Sequence, residues 1–338
     1  MILDMKSNKQ NREEMLFFTA SEFYDIGCEK YEGIIMNNHK FDTAEDVEAV
    51  ITSFNQGMMI REAVHSLCSQ TMLPKRILIV DDGSTDDSSI RILKEIQSDC
   101  SLPVPVTVIE QPNGGVSAAR NTGISMVQTS MVLILDGDDR LESQYIEKVS
   151  CILRKAPSMA AASSWLHTFG VLDAVVRPCG GSIASFLSRN CCPATHILRR
   201  EAWRQCGGYD TSMRSGFEDW DFFLSILEAS SSAYIGIVEE PLIDYRTAPV
   251  SANVKSMSKR LELMRYIIEK HSNAYHENMA DALLGIESVS MSRLYGWESE
   301  IQNVLGAEQK LSKASEDFLK YPSYGDGGMA AAIRIVSV

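Results

Sequence analysis

The sequence predicts an α/β fold with a mostly parallel central sheet flanked by helices, an N-terminal helical arm before it and a C-terminal helical extension after it. Between residues 47 and 246, short apolar runs alternate with stretches of helical periodicity, the signature of stacked βαβ units. Two of those runs end in acidic clusters: Asp81, Asp82 and Asp86 follow Ile77 to Val80, and Asp136, Asp138 and Asp139 follow Met131 to Leu135. With 338 residues and 45% hydrophobic content, the chain can bury the core of one large or two modest domains.

The elements follow in order. Val47 to Ser53 reads as the first strand, and Met59, Ile60, Ala63, Val64, Leu67 and Cys68 then recur at helical spacing. Ile77 to Val80 is a buried strand and Ser88 to Gln97 a helix. Val104 to Ile109 is a strand, Val116 to Gln128 a helix, and Met131 to Leu135 the most apolar strand of the set. Beyond Pro157 the pattern loosens: Ala160 to Thr168, Val171 to Val176 and Thr195 to Leu198 read as strands, and Arg200 to Cys206 as a short helix stopped by Gly207 and Gly208. Residues 1–46 are polar with aromatic patches at Phe17, Phe18, Phe23 and Tyr24 and form the arm. Residues 47–251 form the central domain and 252–338 the extension. In the extension, Leu261, Leu263, Met264, Ile267 and Ile268 make an apolar stripe suited to a core or a homodimer interface, and a second long helix is expected between His276 and Leu305.

A formal net charge of −13 and the lack of a basic stripe exclude a nucleic-acid backbone as partner. The eight cysteines contain no CxxC pair, and the adjacent Cys191 and Cys192 are badly placed to bridge each other, so reduced thiols in a cytoplasmic protein are expected. No stretch approaches a bilayer-spanning length and the N-terminus lacks a secretory apolar core, which confines any membrane contact to a peripheral one.

In an open α/β sheet the ligand crevice lies beyond the carboxyl ends of the strands, so two strands ending in carboxylates converge on one ligand. Oxygen-only ligands suit Mg²⁺ or Mn²⁺, with a diphosphate supplying the remaining oxygens. In VDDGSTDDSS, Ser84 or Asp86 caps the following helix, whereas Asp82 is an acceptor-only side chain able to take the imide N–H of a uracil. LILDGDDRL fails as a calcium loop because its third ligand position is Arg140. Its spaced carboxylates suit a ribose or metal-bound water on one side and a cation on the other. In GFEDWDFFLSILEAS, Glu218, Asp219 and Asp221 open an apolar helix whose dipole would keep Asp219 ionised, as a general base must be. The glycines of NGGVSAARNTG are too irregular for a dinucleotide fingerprint, and Arg120 in that helix is in reach of a nucleotide or its phosphates, or of a surface salt bridge. His65 reads as structural, and His167 and His196 have no neighbour in sequence that suggests ligation.

The order ITSFN, VDDGSTD, NGGVSAARNTG, LILDGDD, GGYD and EDWD closely resembles the family 2 inverting glycosyltransferases of the GT-A fold, over residues 47 to about 251. The resemblance implies transfer of a sugar from a nucleotide sugar, a UDP-sugar above all, to an acceptor hydroxyl with inversion. It implies that Thr52, Phe54 and Asn55 cradle the base, that Asp82 binds uracil, and that Arg120 corresponds to the arginine of the family's ARN segment. Asp136, Gly137 and Asp138 become the DxD motif, with Asp136 near the ribose and Asp138 on a divalent Mg²⁺ or Mn²⁺. Asp219 becomes the catalytic base, with Glu218 and Trp220 supporting donor or acceptor. One departure stands out: Tyr245 and Arg246 are followed by Thr247 and Ala248, where many members carry a histidine that completes the metal shell. That gap sustains an alternative, a degenerate sugar-nucleotide-binding or interaction module. A sugar-phosphate nucleotidyltransferase would need a glycine- and basic-rich loop after the first strand, and none is there.

Overall fold

The computed structural model describes residues 42–249, 252–307, 309–323 and 327–336. The expected helical arm lies outside the described residues as far as Phe41, and its last residues form a strand, β1 (Asp42–Ala44). There follow β2 (Val47–Ser53), α1 (Met59–Cys68), β3 (Met72–Pro74), β4 (Ile77–Asp81), α2 (Asp87–Ser98), β5 (Val106–Glu110), α3 (Val116–Met126) and β6 (Met131–Asp136). The second half contains β7 (Arg140–Leu141), α4 (Tyr145–Lys155), β8 (Met159–Gly170), β9 (Ala174–Val176), α5 (Ile183–Phe186), β10 (His196–Arg199), α6 (Arg200–Cys206), α7 (Glu218–Glu228) and β11 (Tyr234–Thr247). The extension is helical: α8 (Ala252–Met257), α9 (Arg260–Lys270), α10 (Ser272–Glu277), α11 (Met279–Gly306), α12 (Lys313–Lys320) and α13 (Gly328–Val336).

The main sheet runs β5-β4-β2-β6-β10-β8-β11-β7, with β9 paired to β8, while β1 and β3 pair separately. From β5 to β6 every pairing is parallel. β10 then enters antiparallel between β6 and β8, and β11 runs parallel to β8. All seven positions of β2 and all five of β4 are buried, which is why these strands read as continuous apolar runs rather than as alternation. One face of the sheet packs on α1, α2 and α4 through Ile60, Leu67, Ile92, Tyr145 and Val149, and the other on α3, α5 and α7 through Ala119, Ile124, Phe186, Phe222 and Phe223. Helix α3 sits unusually close to the sheet because of Gly123, where an added Cβ would stand 2.3 Å from Val50 Cγ1.

One long strand escaped the sequence pattern and another was overdrawn. β11 is broken by register shifts around Pro241, where the missing N–H is tolerated, and the exposed Glu239, Glu240 and Pro241 erase its periodicity. The strand expected over Val171 to Val176 shrinks to β9, because Gly170 at φ +99° turns the chain back on β8. In the extension, Leu263 and Ile267 of the predicted stripe are buried and Met264 packs against the cluster that holds Ile267, whereas Leu261 and Ile268 face outward. Among the described residues no helix is long and apolar enough to cross a membrane.

Candidate active site

Register brings the two acidic clusters to one sheet edge. Thr52 pairs with Asp136 and Ser53 with Asp81, so β4, β2 and β6 end level with one another. The chain runs outward from β2 through β4 to β5 and then returns to the other side of β2 as β6, which makes this edge the topological switch point where ligands of open α/β sheets bind.

The loop after β4 is built around its carboxylates. Asp81 accepts from Ser84 N (3.2 Å) and Ser84 Oγ (2.5 Å), and Asp86 caps α2 by accepting from Ser89 N at 2.8 Å. Asp82 accepts from Gly114 N (2.8 Å), Gly115 N (2.7 Å) and Gln111 Nε2 (2.7 Å), so it holds the loop before α3. A carboxylate offers about four acceptor positions, so these three donors leave Asp82 one to spare. Asn55 adopts φ +53° and knits its loop to this one, its Oδ1 accepting from Thr85 N and Asp86 N while its own N–H reaches Ser84 Oγ. Phe54 beside it is 46% exposed, a free ring at the rim.

The end of β6 and the loop after it hold three carboxylates in three environments. Asp136 accepts from Thr52 Oγ1 (3.0 Å) and from Arg120 Nη2 through both oxygens (2.9 and 3.1 Å). Gly137 lies where a Cβ would meet Gln56 Oε1 at 2.0 Å and Thr52 O at 2.7 Å, so its part is to let the loop fold against β2. Asp139 is buried and accepts from Arg246 N at 2.8 Å. Asp138 accepts a long side-chain contact from Gln56 Nε2 at 3.4 Å, and burial together with Asp136 pushes its carboxyl up to about 6 against the opposing pull of its own backbone N–H and Arg246. Gln56 Oε1 is itself buried without a partner. A carboxylate short of donors and crowded by another is one that a divalent cation would relieve, so the donor set fits a cation held at Asp138. Among the described residues no three His, Cys, Asp or Glu side chains cluster as a metal cage, so the diphosphate and water would supply the other oxygens. Ala248, at the position of the missing histidine, is exposed and offers no ligand.

Arg120 is neither a surface ion pair nor free to meet phosphates. It is 1% exposed, and its guanidinium joins Asp136 to Glu218 (Nη1 to Oε1, 3.0 Å), with the Tyr209 ring 5.3 Å away. One buried cation thereby fastens the end of β6 to the start of α7. Helix α7 begins after Gly216 and Phe217, the latter left-handed at φ +67°, a strained conformation for an aromatic residue that aims the first turn into the cleft. Asp219 there accepts from Trp220 N (2.8 Å) and Asn190 Nδ2 (2.9 Å).

One expectation is opposed and another needs correction. Burial and the neighbouring Glu218 push the Asp219 carboxyl up to about 7, working against the helix dipole. Trp220 is 2% exposed and donates its indole N–H to Phe186 O at 2.7 Å, which makes it a core anchor of α7 rather than a substrate contact. Of the histidines, His65 is exposed on α1 rather than structural. His196 is buried, with Nδ1 on Ala194 O at 2.7 Å, and burial holds it down to about 3. His167 does have partners, Asp173 at 2.8 Å and Asp244 at 3.5 Å.

Several residues of the cleft gave no sequence signal strong enough to select them. Arg246 links Asp138 O (2.9 Å) to Glu62 Oε2 (2.6 Å), and Tyr245 lies in the field of Asp139, Asp136, Asp138 and Asp219. Asn190 and Gln56 act across 29 and 82 residues, beyond any local pattern.

A layered α/β sheet whose parallel strands end in carboxylates at a switch point, with an acidic helix start docked against them, defines the GT-A type of nucleotide-sugar transferase fold. Residues 48–177 match the model of Glycosyl transferase family 2. GlyA, a glycosyltransferase of Streptococcus pneumoniae, is 34% identical over 103 residues, 30% of this chain but only 14% of that protein. An uncharacterized glycosyltransferase of Haemophilus influenzae is 26% identical over 229 residues, 64% of this chain and 74% of its own. The structure of Staphylococcus aureus TarS 1–349 in complex with UDP-GlcNAc shares the fold with a TM-score of 0.53 at 15% identity, over 70% of this chain and 72% of that one.

Proposed function

We propose that the protein transfers a glycosyl group from a UDP-sugar to an acceptor hydroxyl with inversion at the anomeric carbon. The observation that carries this reading is the Arg120 bridge, which sets Asp136 at the nucleotide edge and Glu218, next to Asp219, on one guanidinium. Phe54 would stack on the uracil and Asp82 accept its imide N–H. Asp136, its inner oxygens pinned by Arg120 and Thr52, would turn its open edge to the ribose. Asp138 would hold Mg²⁺ or Mn²⁺ together with diphosphate oxygens and water. When bound, such a cation offsets charge on the departing diphosphate. Asp219 would take the proton of the acceptor hydroxyl, and a carboxyl poised near neutrality is well matched to that task. The UDP-GlcNAc bound to TarS supports a UDP-sugar as donor.

The test is stereochemical. A single carboxylate that activates the acceptor for direct displacement gives a β-glycoside from an α-linked UDP-sugar, read from the anomeric coupling constant of fresh product by NMR. An α product from an α donor would remove Asp219 from the role given to it.

A further inference from the structure

Asp219 has one oxygen tied to its own helix and the other to a residue from a different segment. Trp220 N reaches Oδ1, and Asn190 Nδ2 reaches Oδ2. The orientation of that amide is set from behind: Asn190 Oδ1 accepts from Cys192 N at 3.2 Å, so the face turned to Asp219 is the NH₂. The segment between α5 and β10 that carries Asn190 is anchored on several sides. Leu187 O accepts from Tyr275 Oη at 2.8 Å, Cys191 O from Gly180 N at 2.9 Å, and Phe186 O from the Trp220 indole. Leu187, Cys191 and Cys192 are buried, so Asn190 projects from a fixed frame.

We propose that Asn190 is a positioning residue of this active site, holding the Asp219 carboxylate in its charged form with its remaining lone pairs toward the acceptor. This rests on Asp219 acting as the base. Burial and Glu218 both disfavour the charged carboxylate. The nearest cation, Arg120, is already shared between Asp136 and Glu218. An amide N–H is a neutral donor that supports the charged form at every pH, where a third carboxylate would suppress it and a second buried cation would make the base too weak. Nothing in the local sequence marks this asparagine, because its partner lies 29 residues on.

The experiment follows the Asp219 carboxyl carbon by ¹³C NMR in protein labelled at the aspartate carboxyls, the resonance being assigned by its loss in Asp219→Asn. Wild type should titrate near 7. Losing one hydrogen bond to an ionised group should raise the midpoint in Asn190→Ala by about one to two pH units. Asn190→Ser keeps an oxygen for Cys192 N–H through a serine turn but withdraws the donor from Asp219, so it should shift the midpoint equally even if the alanine variant folds poorly. The rising limb of kcat against pH should move by the same amount, costing about 5- to 50-fold at pH 7 and recovering at high pH with the donor KM unchanged. An unmoved Asp219 midpoint in both variants overturns the proposal. The carboxyl titration needs no substrate, so failure of the base assignment shows separately, as turnover retained in Asp219→Asn.

Discussion

Asp138 and Asp219 are both pushed up by burial, to about 6 and about 7, but they face different partners. Asp138 has the carboxylate of Asp136 beside it and only a long side-chain donor in Gln56, a setting for a cation. Asp219 has two N–H donors, from Trp220 and Asn190, a setting for proton transfer. Asp219→Asn should therefore lower transfer by roughly 10² to 10⁴-fold while leaving UDP affinity nearly intact, since base catalysis is typically of that size. Because the base must be ionised, wild-type kcat should rise with pH through about 7 and level off above it. Steady-state rates over pH 5.5 to 9 check both points. At this scale, Asp82, Asp136, Asp138 and Asp219 could be singled out because carboxylates after buried strands or at a helix start are local features. The burial that opposes the dipole at Asp219 could not, since it comes from the tertiary fold.

Helix α7 is set by its start rather than by its apolar face alone. The left-handed Phe217, the Trp220 anchor and the Arg120 triad together fix where Glu218 and Asp219 stand relative to β6. Arg120→Met should cost roughly 3–5 kcal/mol in urea unfolding, because Asp136 and Glu218 would be left as uncompensated, largely buried charges. Arg120→Lys should recover only part of this, since an ammonium cannot span two carboxylates with a planar fork. A Met variant as stable as wild type would show that the triad does not hold the site. The parallel strands around β2 were readable as apolar runs because both faces are covered. β11 was not, since its bulges at Pro241 break the alternation that marks a strand.

The C-terminal helices join the sheet domain through a buried ion network. His271, between α9 and α10, is 2% exposed, with Nε2 on Asp221 Oδ1 (3.0 Å) and Nδ1 on Glu228 Oε2 (2.6 Å), and Lys270 adds a bond from Nζ to Asp221 and another to Asp210. Burial alone would lower the imidazole, but the hydrogen bonds to Asp221 and Glu228 raise it above its ordinary value of 6.5. A raised histidine contributes stability that is fully present below its unfolded pKa and is lost as pH rises through the folded one. The Tm gap between wild type and His271→Gln should accordingly be widest near pH 6 and close toward pH 9. A gap that widens with pH would mean the imidazole is neutral in the fold. The whole assembly converges on one claim, that the strand-end carboxylates form a metal-assisted site for a nucleoside diphosphate. Calorimetric titration of UDP into wild type and Asp138→Ala, in Mn²⁺ and again in chelator, tests it most directly. Wild type should bind UDP far more tightly with Mn²⁺, Asp138→Ala should lose that gain, and the two proteins should bind alike in chelator. Equal affinities for the two proteins under both conditions, or no saturable UDP binding at all, would contradict it.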